Sequence, residues 1–287
     1  MGTDWLEKAG ILAHWKLFAS GPDIVKAFEK KEIDLAYIGL PPAIIGIDRG
    51  VPIICVAGGH VEGTVMIAKK EYHTLDELNN INEALAQFEG KVIGSPPKGS
   101  IHDVIINNAI EEAGLDISVR NFPWTDFVLE ALVDGHIEAA VGTPSLAVAA
   151  AHACGARIVI PPDALWCNNP SYGIVVRKEL LDSPSLITGF LELHEKASNF
   201  IRNNPAEAAK IVSELTGIVD EEFVIEAYRV SAKYCASLSR DFVDSTMAFL
   251  PVLRRLKYIS RNLSESEIFN HGFIDKVHKE MPHYDQI

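Results

Sequence analysis

Cysteine is scarce in this chain, and the four that occur, Cys55, Cys154, Cys167 and Cys235, are scattered. No two of them stand at C-x-x-C spacing, so neither a zinc ribbon nor a dithiol motif is indicated, and a disulfide framework is implausible. Most of them read as small buried hydrophobes. Basic residues are also in deficit: 26 Lys and Arg against 39 Asp and Glu leave a formal net charge of −13. Such a surface is poorly suited to a phosphate backbone, and nucleic acid is not an expected partner. Long apolar runs are missing too. The best stretch, residues 137–154, is broken by Gly142, Thr143 and Pro144, so no transmembrane segment is expected and the chain reads as soluble. Met1-Gly2-Thr3-Asp4-Trp5 has neither the basic start nor the apolar stretch of a secretory signal, and Leu6 stands where a myristoylation signal wants Ser or Thr. His60, His102, His136 and His152 lack metal-ligand spacing and read as surface or polar-network groups, while His278 and His283 fall in a polar tail. No metal and no cofactor are expected.

What the sequence does contain is a half-hidden duplication. Asp23, Val25, Ala27 and Phe28 lead through Ile33-Asp34-Leu35-Ala36 and Gly39-Leu40-Pro41 to Gly50-Val51-Pro52-Ile53-Ile54. The same grammar returns as Asp126, Val128, Ala131 and Leu132, then Ile137-Glu138-Ala139-Ala140, Gly142-Thr143-Pro144 and Gly155-Ala156-Arg157-Ile158-Val159-Ile160. Helix, strand, Gly-x-Pro turn, helix and strand, written twice, imply two α/β units of one construction that face each other as a clamp. At 287 residues each unit can enclose a core of its own.

Along the chain, Ala13 to Phe18 reads as a strand and Ser20-Gly21-Pro22-Asp23 as a capped helix start. The apolar run Val51 to Val56 suggests a strand buried in a parallel sheet. After Thr64 to Ala68 the chain turns polar, which marks a crossover. A second unit then runs from the strand Lys91 to Ser95 to Pro161-Pro162, and a strand at Tyr172 to Val176 returns. Beyond it the sequence is helical, with starts at Ser183-Pro184 and Asn204-Pro205, two longer helices, and a capping box of Ser264 with Glu267 opening the last. This gives lobe 1 at 1–68 and 171–287 and an inserted lobe 2 at 69–170. Turns that expose helix N-termini recur at Ser20-Gly21, Gly39-Leu40-Pro41, Lys98-Gly99-Ser100 and Gly142-Thr143-Pro144, where N–H groups and hydroxyls can grip a small polar or anionic solute. Trp124, Trp166 and Tyr37 lie beside these turns and are candidates to line the pocket.

From Phe18 to about Gly217 these features resemble the ABC-transporter substrate-binding proteins of the nitrate, sulfonate, taurine and thiamine-pyrimidine group. The resemblance rests on Ser20-Gly21 with Ala27, Ile33 to Gly39 with Pro41-Pro42, Gly90-Lys91-Val92-Ile93-Gly94 with Gly99-Ser100, and Asn203-Asn204-Pro205 with Ala208-Ala209. It implies a two-lobed α/β fold of the type II periplasmic-binding-protein class with a helical C-terminal region, a small-molecule solute and an ABC permease as partners, and solute contacts at Ser20, Gly39, Leu40, Ser100 and Asn169, with Thr64 at the outgoing hinge. An extracytoplasmic location follows if a leader precedes this chain, and a cytoplasmic one otherwise.

Two departures bear on that expectation. The family's first strand is missing, and of its opening elements only Glu7-Lys8-Ala9-Gly10-Ile11 is present. Its loss should leave unpaired backbone on two neighbours, unless the chain begins upstream or a partner or a rearrangement fills the gap. Thr143-Pro144 also replaces an acid-Pro pair, so ligand type is not inherited. Relatives of this fold include a pyrimidine synthase, a desulfinase and menaquinone-pathway lyases. The synthase's cysteine cluster has no counterpart here, although Cys167 with His60 or His102 is a candidate nucleophilic pair. A binding protein is the favoured reading, with an enzyme of this fold or a non-transport ligand sensor as alternatives.

Overall fold

The structure, a computed structural model, describes residues 2–78 and 80–284. Its first part comprises α1 (Trp5–Lys8), α2 (Gly21–Glu29), β1 (Leu35–Ile38), α3 (Leu40–Asp48), β2 (Ile53–Val61) and β3 (Val65–Ala68). Then come α4 (Leu75–Leu78), α5 (Ile81–Ala86), β4 (Val92–Ser95), α6 (Ile101–Ala113), β5 (Ser118–Asn121), α7 (Thr125–Val133), β6 (Ala139–Gly142), α8 (Pro144–Cys154), β7 (Arg157–Ile160) and α9 (Pro162–Leu165). The last part holds β8 (Pro170–Arg177), a 3₁₀ turn at Lys178–Asp182, α10 (Pro184–Asn203), α11 (Pro205–Thr216), α12 (Glu221–Val230), α13 (Arg240–Arg255), α14 (Glu265–Ile268) and α15 (Ile274–Val277).

The duplication is visible as α2-β1-α3-β2 and α7-β6-α8-β7. Local chemistry starts and stops the helices. Ser20, Ser100 and Thr143 each accept a bond from the backbone N–H three residues on, while Gly114 and Gly155 end α6 and α8 in the left-handed region.

The strands form two sheets, ordered β1-β8-β2 and β5-β4-β6-β3-β7. In each, the two strands of a repeat are separated by a crossover strand that runs antiparallel to both: β8 lies between β1 and β2, and β3 between β6 and β7. All nine residues of β2 are buried, yet its ladder partner is antiparallel. The expected parallel sheet is thus corrected here, because an unbroken apolar run reports burial on two faces and not strand direction. Parallel pairing does occur in the second sheet, where β4 lies beside β5 and β6.

The two edges of the first sheet differ. Along β2, residues 233–236 supply the outer bonds: Gly58 N–H donates to Ala236 O at 2.9 Å and Cys235 N–H to Gly59 O at 3.1 Å. Strand β1 is the other edge. The expected strand at Ala13 to Phe18 does not form; residues 11–18 take no regular structure, with Leu12 82% and Leu17 87% exposed. A lone extended segment has no ladder to hold it, and residues 11–18 pair with no strand. Three C-terminal expectations also change. The capping box at Ser264 and Glu267 is present but opens the four-residue α14, which is not last; α12, at 10 residues, is shorter than α11, at 12. His278 and His283, read as part of a polar tail, are buried.

The two connections between the sheets, residues 62–64 and 168–169, are bonded to each other. Glu62 N–H donates to Asn169 O at 2.8 Å, and Asn168 N–H donates to the Glu62 carboxylate at 3.0 Å. Glu62 and Asn168 both have positive φ, 59° and 53°. Neither is glycine, so strain is held at both crossings by the bonds between them. Glu62 is only 4% exposed and its second oxygen meets Lys233 Nζ at 2.8 Å. Glu62→Ala should therefore cost about 1–3 kcal/mol, the range for removing a buried charged hydrogen-bond partner. Urea unfolding checks this, and a midpoint unchanged from that of the unaltered protein would refute it.

Candidate functional site

A cavity of about 700 Å³ lies where elements of both sheets meet. The first turns of α7 and α8 supply Thr125, Asp126, Thr143, Pro144 and Ser145, and the crossovers supply His60, Gly63, Ser171 and Tyr172. Opposite them, α11 and α12 present Ala208, Val212, Phe223, Val224 and Ala227. The α11–α12 wall is thus mainly apolar, and the other combines helix N-termini, hydroxyls and imidazoles with the side chains of Leu129, Leu146 and Ala149.

Both histidines of this wall are neutral at ordinary pH. Burial pulls His60 and His102 down to about 4. His60 Nε2 donates to the Ser231 carbonyl at 3.0 Å, which fixes the proton on that nitrogen. Ser231 Oγ also lies 3.0 Å from Nε2, but its own proton goes to Val61 O at 3.0 Å, so the pair is not an activated nucleophile. His102 Nδ1 meets Thr64 Oγ1 at 3.0 Å. Burial likewise pushes the Tyr234 phenol up to about 12. Among the lining residues there is no Lys or Arg.

Of the residues chosen from sequence, Thr143 lines the cavity directly, where its hydroxyl caps α8. Gly142 precedes it at the end of β6. Thr64 reaches the wall through His102, and Asn169 through Ser171, whose hydroxyl donates to Asn169 Oδ1 at 3.2 Å. Ser20, Gly21, Gly39, Leu40, Lys98, Gly99 and Ser100 are not among the lining residues. Their turns are packed on one another: a Cβ at Gly39 would fall 3.2 Å from Ser171 O and 3.4 Å from Ile101, and one at Gly99 3.5 Å from Ile45. Trp124 stands outside the cavity at the start of α7, 54% exposed.

Trp166 stacks on Phe249 at 3.8 Å and donates to Ser245, and Tyr37 packs at the sheet edge against Tyr172 and His194; neither lines the cavity. Cys167 lies in a separate surface depression with Asn168 and Ser245, and it does not share the cavity of His60 and His102. The α11–α12 wall was not chosen from sequence. Its signal was the apolar face of α11 repeating through Ala208, Ala209 and Val212, which by pattern is indistinguishable from core.

With a folded value near 4 and an unfolded value near 6.5, His60 and His102 take up protons on unfolding between those limits. The stability they contribute is complete above pH 6.5 and is lost as pH falls through 4. Imidazole NMR signals of both should stay in the neutral form from pH 7 to 5. A midpoint near 6.5 for either would contradict the burial argument.

Comparison with known proteins gives the context. The NMT1-like family matches residues 2–216. A Bacillus subtilis (strain 168) chain assigned to aliphatic sulfonate binding is 22% identical over 281 residues, covering 96% of this chain and 82% of that one. The alkanesulfonate-binding protein of Xanthomonas axonopodis pv. citri, solved with MOPS, superposes with a TM-score of 0.77 at 14% identity, over 92% of this chain and 90% of that one. The periplasmic aliphatic sulphonate binding protein of Escherichia coli gives 0.77 at 15% identity, over 94% and 88%. The periplasmic nitrate-binding protein of Synechocystis PCC 6803 gives 0.72 at 16%, over 90% and 78%. The fold is therefore that of periplasmic substrate-binding proteins, as the resemblance implied, and among the described residues no helix is long and apolar enough to cross a membrane. The chain belongs to the NMT1-like family.

Proposed function

We propose that this protein is the solute-binding component of an ABC-type importer, working outside the cytoplasm with a permease, and that its solute is a small organic molecule with an apolar body and a polar or anionic head. The observation that carries this reading is the cavity's division into one apolar wall and one wall of helix N-termini. The N-terminal N–H groups of a helix lack intrahelical partners and carry partial positive charge, so the starts of α7 and α8 can receive the head without a side-chain cation. Asp126 in the first turn of α7 competes for that helix, which leaves α8, with Thr143 and Ser145, as the better seat.

A bare oxyanion such as nitrate has no use for the face built by Ala208, Val212, Phe223 and Ala227, whereas an aliphatic sulfonate or a substituted pyrimidine buries its body there. In this reading residues 1–68 with 171–287 form one lobe and 69–170 the other, and the bonded crossovers are the hinge. The packed turns at Ser20-Gly21, Gly39-Leu40 and Lys98-Gly99-Ser100 are the seam along which the lobes close, next to the solute.

A thermal-shift screen of aliphatic sulfonates, pyrimidines and nitrate tests the assignment. A ligand present at a hundred times its Kd stabilises by about 2.7 kcal/mol. At least one organic member should raise Tm and bind by calorimetry, and nitrate should do neither. Ala208→Trp places an indole in the cavity and should weaken that binding at least tenfold while far-UV circular dichroism stays unchanged. Undiminished affinity in this variant, or a response to nitrate alone, would sink the proposal.

A further inference from the structure

Behind the cavity, three donor atoms converge that solute binding does not use. We propose that Cys235, His278 and His283 form a binding site for a zinc-class transition-metal ion, held by one thiolate and two imidazole nitrogens. Cys235 is fully buried and the two histidines are 9% and 8% exposed. Cys235 Sγ lies 3.9 Å from His278 Nε2 and 3.8 Å from His283 Nδ1, and all three atoms fall within 4.8 Å of one another. With metal–sulfur and metal–nitrogen bonds of about 2.3 and 2.0–2.1 Å, the sulfur–nitrogen edge of a site is about 3.6 Å at a tetrahedral angle and about 3.8 Å at a trigonal one. The two sulfur–nitrogen edges therefore already stand close to the spacing that an ion requires.

The surroundings point the same way. The outward nitrogen of each histidine faces a carboxylate, His278 Nδ1 with Glu195 at 3.0 Å and His283 Nε2 with Glu280 at 3.2 Å. A carboxylate on the outer nitrogen holds the proton there and turns the lone pair of the inner nitrogen toward the shared centre, the arrangement that orients metal-ligating imidazoles. Backbone N–H groups of Ser237 and His283 point at the Cys235 sulfur at 3.5 and 3.4 Å, which fixes its position beside the two rings. Two ring nitrogens and a sulfur thus converge on one point, where a cation bonds all three at once and a single hydrogen bond joins only two. Thiolate with imidazole selects zinc or copper over magnesium or calcium. The sequence gives little warning, since Cys235 stands far from His278-x4-His283 along the chain.

The test uses the whole protein, stripped with EDTA and titrated with Co²⁺ and then Zn²⁺. One Co²⁺ per chain should bind, with a thiolate-to-cobalt charge-transfer band in the near ultraviolet, and Zn²⁺ should displace it. Cys235→Ser should remove the band. Glu195→Gln should keep it and weaken binding 10–100-fold, as loss of a carboxylate behind a ligating histidine does. His152→Ala, at an exposed histidine, should change nothing. The unaltered protein itself decides the matter even if a variant folds poorly: absence of the band, or zinc bound equally well by folded Cys235→Ser, would mean that the cluster is a proton-bonded clasp and overturn the proposal. None of these readouts depends on solute binding.

Discussion

A strand that leaves one sheet and enters another must satisfy its backbone polar groups in between, and here the two crossings do this for each other. Glu62 N–H is taken by Asn169 O, Gly63 N–H by Ser171 Oγ, and Asn168 N–H by the Glu62 side chain. Because β8 runs between β1 and β2 while β3 runs between β6 and β7, each crossing strand is clamped on both sides within its sheet. Only the short spans between the sheets escape those ladders. Positive φ at Glu62 and Asn168 places the local strain at the two points where a relative rotation of the sheets would have to be absorbed.

The same crossings deliver the polar wall of the cavity. His60 lies within β2, Gly63 follows it, and Ser171 and Tyr172 begin β8. Burial makes both imidazoles neutral, and His60 is also directional, because its Nε2 proton is fixed toward the Ser231 carbonyl. Apart from the Asp126 carboxylate, the wall therefore offers hydrogen bonds and helix dipoles without formal charge. An anionic head seated there would be held by N–H groups that cost little reorganisation, and selectivity among heads would rest on geometry.

The duplicated block and the helix starts at Ser20, Ser100 and Thr143 were legible because each is a local signal with a local cause. Thr143, which lines the cavity, was legible as a helix cap for the same reason, since a capped helix N-terminus after a strand is readable over four residues. Strand direction was not, as β2 shows, because an apolar run carries burial and nothing more. The strand at Ala13 to Phe18 failed because propensity cannot supply a neighbour to pair with. The α11–α12 wall and the Cys235 cluster were illegible because each is assembled from segments joined only by tertiary packing.

One loop links the cavity to that cluster. Residues 233–236 run along the outer edge of β2, covering bonds that an edge strand would otherwise leave open. Tyr234 turns toward the cavity, 4.4 Å from the His60 ring, while the next residue, Cys235, turns to the opposite side. On that side the Tyr284 hydroxyl sits 2.8 Å from the carbonyls of Cys235 and Ser237, and a Cβ at Gly58 would fall 2.3 Å from Ser237 O, so no slack separates loop and strand. Adjacent residues on an extended segment point in opposite directions, and a constraint on one fixes the backbone that aims the other. Whatever holds Cys235 therefore also sets the position of Tyr234, and through it the polar wall against which a solute would be bound.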